Sequence, residues 1–135
     1  MQFIMAQYEH LPIYKAAFDL LVYLEKTVAG FSRYHKYTHG AALRDGAREA
    51  LLLVIRANSA SDKRPVLEDL RLKIEELKTL IRLCKELKAF PNFKAFETSI
   101  NKLTVIARQN EGWLKSQATR KWSESPVCAP RDGGR

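Results

Sequence analysis

The residues from 67 to 84 carry the pattern that most constrains the fold of this chain. Large apolar side chains recur there at alternating intervals of three and four, at Leu67, Leu70, Ile74, Leu77, Ile81 and Cys84. Such intervals place all of them on one face of an α-helix, which turns once every 3.6 residues. A flanking apolar stripe follows at Leu80, Leu83 and Leu87. An apolar face this wide predicts a helix that packs against two neighbours.

Three other stretches show helical periodicity, and strand-like alternation is absent after residue 11. The first predicted helix opens at Pro12 and ends at Gly30, since proline suits a first turn and glycine a helix end. The second runs from Thr38, its predicted N-cap, to Ala57, and Asp62 is the predicted cap of the third. The stripe of the fourth consists of Phe96, Ile100, Leu103, Ala107, Asn110 and Leu114. Four amphipathic helices with short connections predict an all-α, antiparallel up-down four-helix bundle.

The length of 135 residues allows one domain with a single core. We expect an N-terminal arm at residues 1–10, the bundle at 11–122, and a disordered tail at 123–135, where Ser, Pro and Gly dominate. No apolar run approaches the roughly 20 residues of a membrane span, and the start lacks the regions of a signal peptide. Cys84 and Cys128 are typical of reduced thiols. These features favour a cytoplasmic protein that does not enter a membrane.

The segment Phe31–Gly40, with the sequence FSRYHKYTHG, interrupts the helical pattern with basic and aromatic residues. Arg33 and Lys36 alternate there with Tyr34 and Tyr37. Guanidinium and ammonium groups bind phosphates, while aromatic rings stack on bases. The formal net charge of +8 also favours an anionic partner. We therefore predict that Arg33 and Lys36 contact nucleic acid.

The fourth predicted helix carries a second group of cations. At 100° per residue they fall in an arc of about 140° that lies opposite the apolar stripe. The members are Lys94, Lys102, Arg108 and Lys115, and Arg120 and Lys121 extend the group past the end of the helix. An ordinary solvated face is the alternative for each of these lysines and arginines. Their number relative to nearby acids favours a surface that binds nucleic acid.

The sequence contains no arrangement typical of catalysis or of a bound cofactor. His35 and His39 are four residues apart, but no third ligand follows at a suitable spacing, so we predict no metal site. Asp45 and Glu49 share a helix face with flanking arginines, which favours ion pairing over acid–base chemistry. Glycines stand alone and form no phosphate-binding loop. The sequence therefore predicts a non-enzymatic protein without catalytic residues or cofactors.

The order of these pieces resembles the accessory variability determinant proteins, small four-helix bundles encoded beside the reverse transcriptases of diversity-generating retroelements. That family is grouped with proteins encoded in the intervening sequences of bacterial large-subunit rRNA. The resemblance covers about residues 11–118 and is carried by Leu11–Lys15, Phe31–Gly40 and Gly112-Trp113. Ser32 replaces the proline that follows the phenylalanine in the family, and His39 replaces a leucine. The family pattern is kept at Lys36, Tyr37, Thr38 and Gly40.

The resemblance implies a homopentameric barrel of bundles with a basic surface. It also implies that this surface binds the reverse transcriptase, RNA and RNA–DNA hybrid, and so supports mutagenic copying of a template RNA. Two other classes stay open beside it. One is a structural or protein-interaction bundle of the rRNA intervening-sequence branch, without a nucleic-acid role. The other, a membrane-surface protein, is disfavoured because the apolar faces are needed for the core.

Overall fold

The computed structural model describes the backbone of residues 7–123 and the side chains of residues 8–118. A 3-10 turn at Gln7–His10 precedes five helices, and this part of the chain contains no strand. The helices are α1 (Pro12–Ala29), α2 (Arg33–Lys36), α3 (His39–Ser59), α4 (Arg64–Glu86) and α5 (Phe93–Ser123). The expected all-helical bundle is therefore confirmed. The predicted arm and tail fall largely outside the described residues, so the division of the chain stays a prediction.

The four long helices begin and end close to the predicted residues. The C-cap of α1 is Gly30, whose N–H donates to the carbonyl oxygen of Thr27 at 3.0 Å. Each of two predicted caps is confirmed only in part, one in its position and the other in its hydrogen bond. Thr38 occupies the N-cap of α3, but its hydroxyl donates to the carbonyl of Tyr34 at 2.7 Å, where the end of α2 leaves an acceptor without a helical partner. The N-cap of α4 is Lys63, one residue after the predicted Asp62, but the Asp62 carboxylate accepts a hydrogen bond from the N–H of Arg64 at 3.3 Å.

The long helices pack in the cyclic order α1, α3, α4 and α5, and α5 closes onto α1. The α4 stripe that opened the sequence analysis is buried along its whole length, from Leu67 to Cys84. Burial by apolar neighbours raises the pKa of the Cys84 thiol to about 11, which keeps it protonated near neutral pH. No helix in the described part is long and apolar enough to cross a membrane.

The predicted α5 stripe is only partly correct. Its positions Leu103, Asn110 and Leu114 are buried, whereas Phe96, Ile100 and Ala107 are half-buried at its edge. The other buried positions are Ala95, Ser99 and Ile106. Two of these are small, and the Ser99 hydroxyl donates to the carbonyl of Ala95 at 2.8 Å, so its burial leaves no unsatisfied donor.

Two glycines allow close contacts between neighbouring elements. A Cβ added at Gly40 would lie 2.6 Å from Cγ1 of Val28 and 2.9 Å from the carbonyl oxygen of His35. A Cβ at Gly46 would lie 2.7 Å from Cδ2 of Leu77 on α4. Both distances are well below van der Waals contact, so the packing of α3 against α1 and α4 depends on the missing side chains.

A lysine closes the turn between α3 and α4. The ammonium of Lys63 donates to the carbonyl oxygens of Ala57 at 3.0 Å, Asn58 at 3.1 Å and Ala60 at 2.9 Å. These carbonyls belong to the end of α3, where the last acceptors of a helix have no partner within it. A positive charge at that end is also favoured by the helix dipole.

Candidate nucleic-acid interface

Two connections between helices meet at one end of the bundle. Phe31, between α1 and α2, is buried and packs edge-on against Phe90, between α4 and α5, with 5.5 Å between the ring centroids. Phe31 and Gly40 therefore anchor the two ends of the FSRYHKYTHG segment in the core. We call the surface formed by residues 30–38, 85–92 and the first turn of α5 the connection end.

The middle of the FSRYHKYTHG segment faces solvent at the connection end. Part of the predicted loop is the short helix α2, which presents Arg33 as an exposed side chain. Tyr34 and Tyr37 are 68% and 67% exposed. Lys36 is half-buried, and its ammonium lies 6.0 Å from the centroid of the Tyr37 ring. The segment thus combines accessible cations with accessible rings, which suits a partner that carries phosphates and bases.

The two histidines of this segment hold Tyr34 in place. The Tyr34 ring meets His35 and His39 edge-on, with centroid distances of 5.4 and 6.4 Å. The two imidazoles lie 6.2 Å apart. Nδ1 of His35 is buried and has no hydrogen-bond partner within the described side chains. Tyr34 thus contacts both imidazoles while most of its surface stays exposed.

The cations predicted on α5 do not form one continuous patch with those of α2. Lys94 is exposed in the first turn of α5 and so belongs to the connection end. Lys102 does not face away from the bundle as predicted, because it is half-buried with its ammonium 5.7 Å from the Tyr23 ring of α1. Arg108 and Lys115 lie about 20 Å or more further along the helix, at 1.5 Å per residue.

Arg108 and Lys115 line a shallow depression of about 430 Å³ together with Thr104 and Glu111. This depression is a second basic surface that is separate from the connection end. The side chains of Arg120 and Lys121 lie outside the described residues, so their predicted roles stay predictions.

The connection end also contains a pocket that was not predicted from the sequence. It has a volume of about 450 Å³ and lies between the end of α4 and the start of α5. Its lining consists of Lys85, Lys88, Phe90, Pro91, Asn92, Phe93 and Phe96. The sequence signal for this pocket is the pair Phe90 and Phe93 on either side of Pro91-Asn92. The pattern at these positions was interpreted only as a helix break.

Five cations on α3 and α4 have carboxylate partners. Arg71 donates from Nε and Nη2 to the Glu111 carboxylate, each at 2.7 Å, and this pairing raises the pKa of Arg71 and lowers that of Glu111. Lys73 contacts both Glu49 and Glu76, and hydrogen bonding to Glu49 is the main reason that the pKa of Lys73 is raised. The further pairs are Arg44–Glu25, Arg48–Glu25, Arg48–Asp45 and Lys78–Glu75. The predicted ion pairing with a flanking arginine is confirmed for Asp45, which contacts Arg48, whereas Glu49 pairs with Lys73 of α4.

At the connection end, Lys85 lies 3.8 Å from the Glu86 carboxylate, but other cations have no such neighbour within the described part of the chain. Among the side chains of residues 8–118, no carboxylate lies within ion-pair distance of Arg33, Lys36 or Lys94, and the same holds for Arg108 on α5.

Compared with known proteins, the chain matches no family model and no curated protein.

Proposed function

We propose that this chain is a non-enzymatic accessory protein of a diversity-generating retroelement. In this proposal it binds the element's reverse transcriptase, the template RNA and the cDNA through a basic surface, and so supports mutagenic reverse transcription. The subunit is an antiparallel up-down bundle, and five copies form a homopentameric barrel. The proposal draws its partners and its stoichiometry from the resemblance at residues 11–15, 31–40 and 112–113.

One structural observation supports the nucleic-acid part of the proposal. At the connection end, Arg33 and Lys94 are exposed without a carboxylate partner among the described residues, and Tyr34 and Tyr37 of the segment that carries Arg33 are exposed as well. Cations of this kind bind phosphates of any sequence, and accessible rings add stacking on unpaired bases. We therefore expect binding to structured RNA and RNA–DNA hybrid with little sequence preference.

Exposed leucines support self-association. Leu72, Leu83 and Leu87 share one face of α4 at intervals of eleven and four residues, and Leu72 is 70% exposed. Exposed Glu76 and Thr79 lie between Leu72 and Leu83, so the leucines form separate apolar spots, which a second copy of the chain would cover. Light scattering should give a mass several times that of one 15.5 kDa chain, and Leu72→Glu with Leu83→Glu should lower it. A wild-type mass near one chain would contradict this.

The same leucines favour the second candidate, a protein-interaction bundle of the rRNA intervening-sequence branch. An apolar face recruits a protein partner without any RNA, and the charge of +8 would then serve solubility alone. RNA binding separates the two candidates, because only the first requires it.

The experiment is a titration of labelled structured RNA and of RNA–DNA hybrid at increasing salt, followed by fluorescence anisotropy. We expect affinity to fall steeply with salt, because each phosphate contact releases counterions. Affinity that stays constant from low to high salt would overturn the proposed mechanism. The retroelement assignment has its own test in the genome, where a reverse transcriptase gene and a template–variable repeat pair should lie beside this gene.

A further inference from the structure

The pocket between α4 and α5 combines two lysines with an exposed aromatic ring. Lys85 and Lys88 stand on its α4 side, and Phe93 stands on its α5 side. Phe93 is 62% exposed, although it begins a helix whose core positions are filled by other residues. The Glu86 carboxylate lies 3.8 Å from the Lys85 ammonium and forms a long ion pair with it, whereas no carboxylate among the described side chains lies within ion-pair distance of Lys88, so the pocket keeps a positive charge.

Lys88 occupies a backbone conformation that normally belongs to glycine. Its φ is +59°, and no other non-glycine residue within 7–123 has a positive φ. The N–H of Ala89 donates to the carbonyl of Cys84 at 2.9 Å, and the N–H of Lys88 donates to that of Lys85 at 3.0 Å. These two bonds form the helix-ending motif in which glycine is the common residue at the position of Lys88. A lysine there carries strain that glycine would not, which indicates a use for its side chain.

Phe93 is held by a series of rings that reaches from the core to the surface. Phe31 contacts Phe90, Phe90 contacts Phe96 at 6.2 Å, and Phe96 contacts Phe93 at 5.5 Å between centroids. The Lys85 ammonium lies 5.2 Å from the centroid of the Phe96 ring. The exposed ring is thus supported on its inner side and open on its outer side, as a stacking platform needs to be.

We propose that this pocket binds one unpaired nucleotide of a single-stranded nucleic acid. The base stacks on Phe93, and the adjoining phosphate contacts the ammonium groups of Lys85 and Lys88. A paired base in a duplex keeps its faces inside its own stack, so the pocket selects single strands over duplex. This inference rests on the proposed nucleic-acid binding and adds to it a preference for unpaired segments of the template RNA or of the cDNA.

Lys88→Gly gives the sharpest test, because stability and binding should move in opposite directions. Removal of the strain should raise the melting temperature of the full chain by about 3–6 °C. Loss of the ammonium should lower affinity for a labelled single-stranded RNA several-fold. Lys88→Ala keeps the strain and should lower affinity equally without the gain in melting temperature. Lys78→Ala, which removes an exposed α4 lysine paired with Glu75, is the charge-matched control and should leave affinity unchanged.

Phe93→Ala tests the stacking. It should weaken binding of the single strand about tenfold or more and leave binding of the same strand annealed to its complement unchanged. The inference is overturned if Lys88→Gly raises the melting temperature while single-strand affinity stays at the wild-type value. It is also overturned if Phe93→Ala leaves the ratio of single-strand to duplex affinity unchanged. A wild-type protein that binds neither probe would refute the proposed function itself, which is a different result from either of these.

Discussion

The α3–α4 flank and the connection end both carry cations, but these cations have different surroundings. On the flank, Arg48, Lys73 and Lys78 each contact a carboxylate. At the connection end, Arg33 and Lys94 have no such partner among the described residues. A phosphate that approached the flank would have to displace a carboxylate, whereas at the connection end it would meet the full charge. Charge pairing therefore distinguishes Arg33 and Lys94 from these three cations of the flank.

The largest expected effect is the loss of stability on substituting one core residue in each region. Leu77→Ala on the flank should cost about 2–5 kcal/mol of unfolding free energy, and Phe31→Ala at the connection end about 3–5 kcal/mol. Only Phe31→Ala should also weaken RNA binding by the folded protein, because it removes the ring that joins the two connections. Urea unfolding and anisotropy below both melting temperatures would measure these effects. Equal RNA affinity for the two variants would remove the distinction between the regions.

The next effect concerns binding alone. Arg33→Ala combined with Lys36→Ala should lower RNA affinity and reduce the slope of log affinity against log salt by about 1.4–1.8, the value for two phosphate contacts. The matched control is Arg48→Ala with Lys78→Ala, which removes the same charge from the flank. The control should keep the wild-type salt slope and lose at most about 1 kcal/mol of stability, since exposed ion pairs contribute little. The same slope for both double variants would show that pairing does not decide which cations bind.

Tyr37→Ala separates anchoring from stacking at the connection end. Because the Tyr37 ring is 67% exposed, its loss should leave the melting temperature close to the wild-type value. RNA affinity should fall by a smaller factor than in the Arg33 and Lys36 double variant, and more for single strands than for duplex. A lower melting temperature with unchanged affinity would instead identify Tyr37 as a structural anchor of the segment.

The smallest effect is a pH dependence that belongs to the ion-paired surface only. The hydrogen bonds from Arg71 lower the pKa of Glu111, so this carboxylate is more acidic in the folded chain than in the unfolded one. Its stabilising contribution is therefore fully present above the unfolded pKa of about 4.3 and is lost as pH falls through the lower folded value. Arg71→Ala should reduce the melting temperature slightly at neutral pH, and this difference should vanish in acid. Arg33→Ala should show no such pH-dependent difference.

Most of the helical architecture follows from periodicity, but with unequal success along the chain. The α4 stripe was fully predicted because each of its core positions is large and apolar. On α5 the predicted stripe differs from the buried positions, because Ala95 and Ser99 face the core while the larger Phe96 lies at the edge. A stripe is recognised in a sequence by its hydrophobic side chains, whereas close packing between helices favours small side chains. No single-sequence pattern distinguishes those two demands.

The candidate site was predictable only where it is contiguous in sequence. The cations and rings of the FSRYHKYTHG segment are visible directly, but the contact of Phe31 with Phe90 joins segments nearly sixty residues apart. The conformation of Lys88 was also hidden, because a glycine or asparagine is the usual signal for a positive φ at a helix end. A site that is assembled from two connections requires knowledge of how the helices are arranged.

The α3–α4 turn is stabilised by hydrogen bonds from the Lys63 ammonium, so it depends on the chemical state of that side chain. Its three hydrogen bonds exist only while the amine is protonated and unmodified. Acetylation of this lysine would remove the charge and two of its three donors at once, leaving carbonyls at the end of α3 without partners. The turn lies at the opposite end of α3 and α4 from the connection end. A single acyl group at Lys63 would therefore loosen the junction of two core helices while the pocket between α4 and α5 and the exposed tyrosines stay chemically intact.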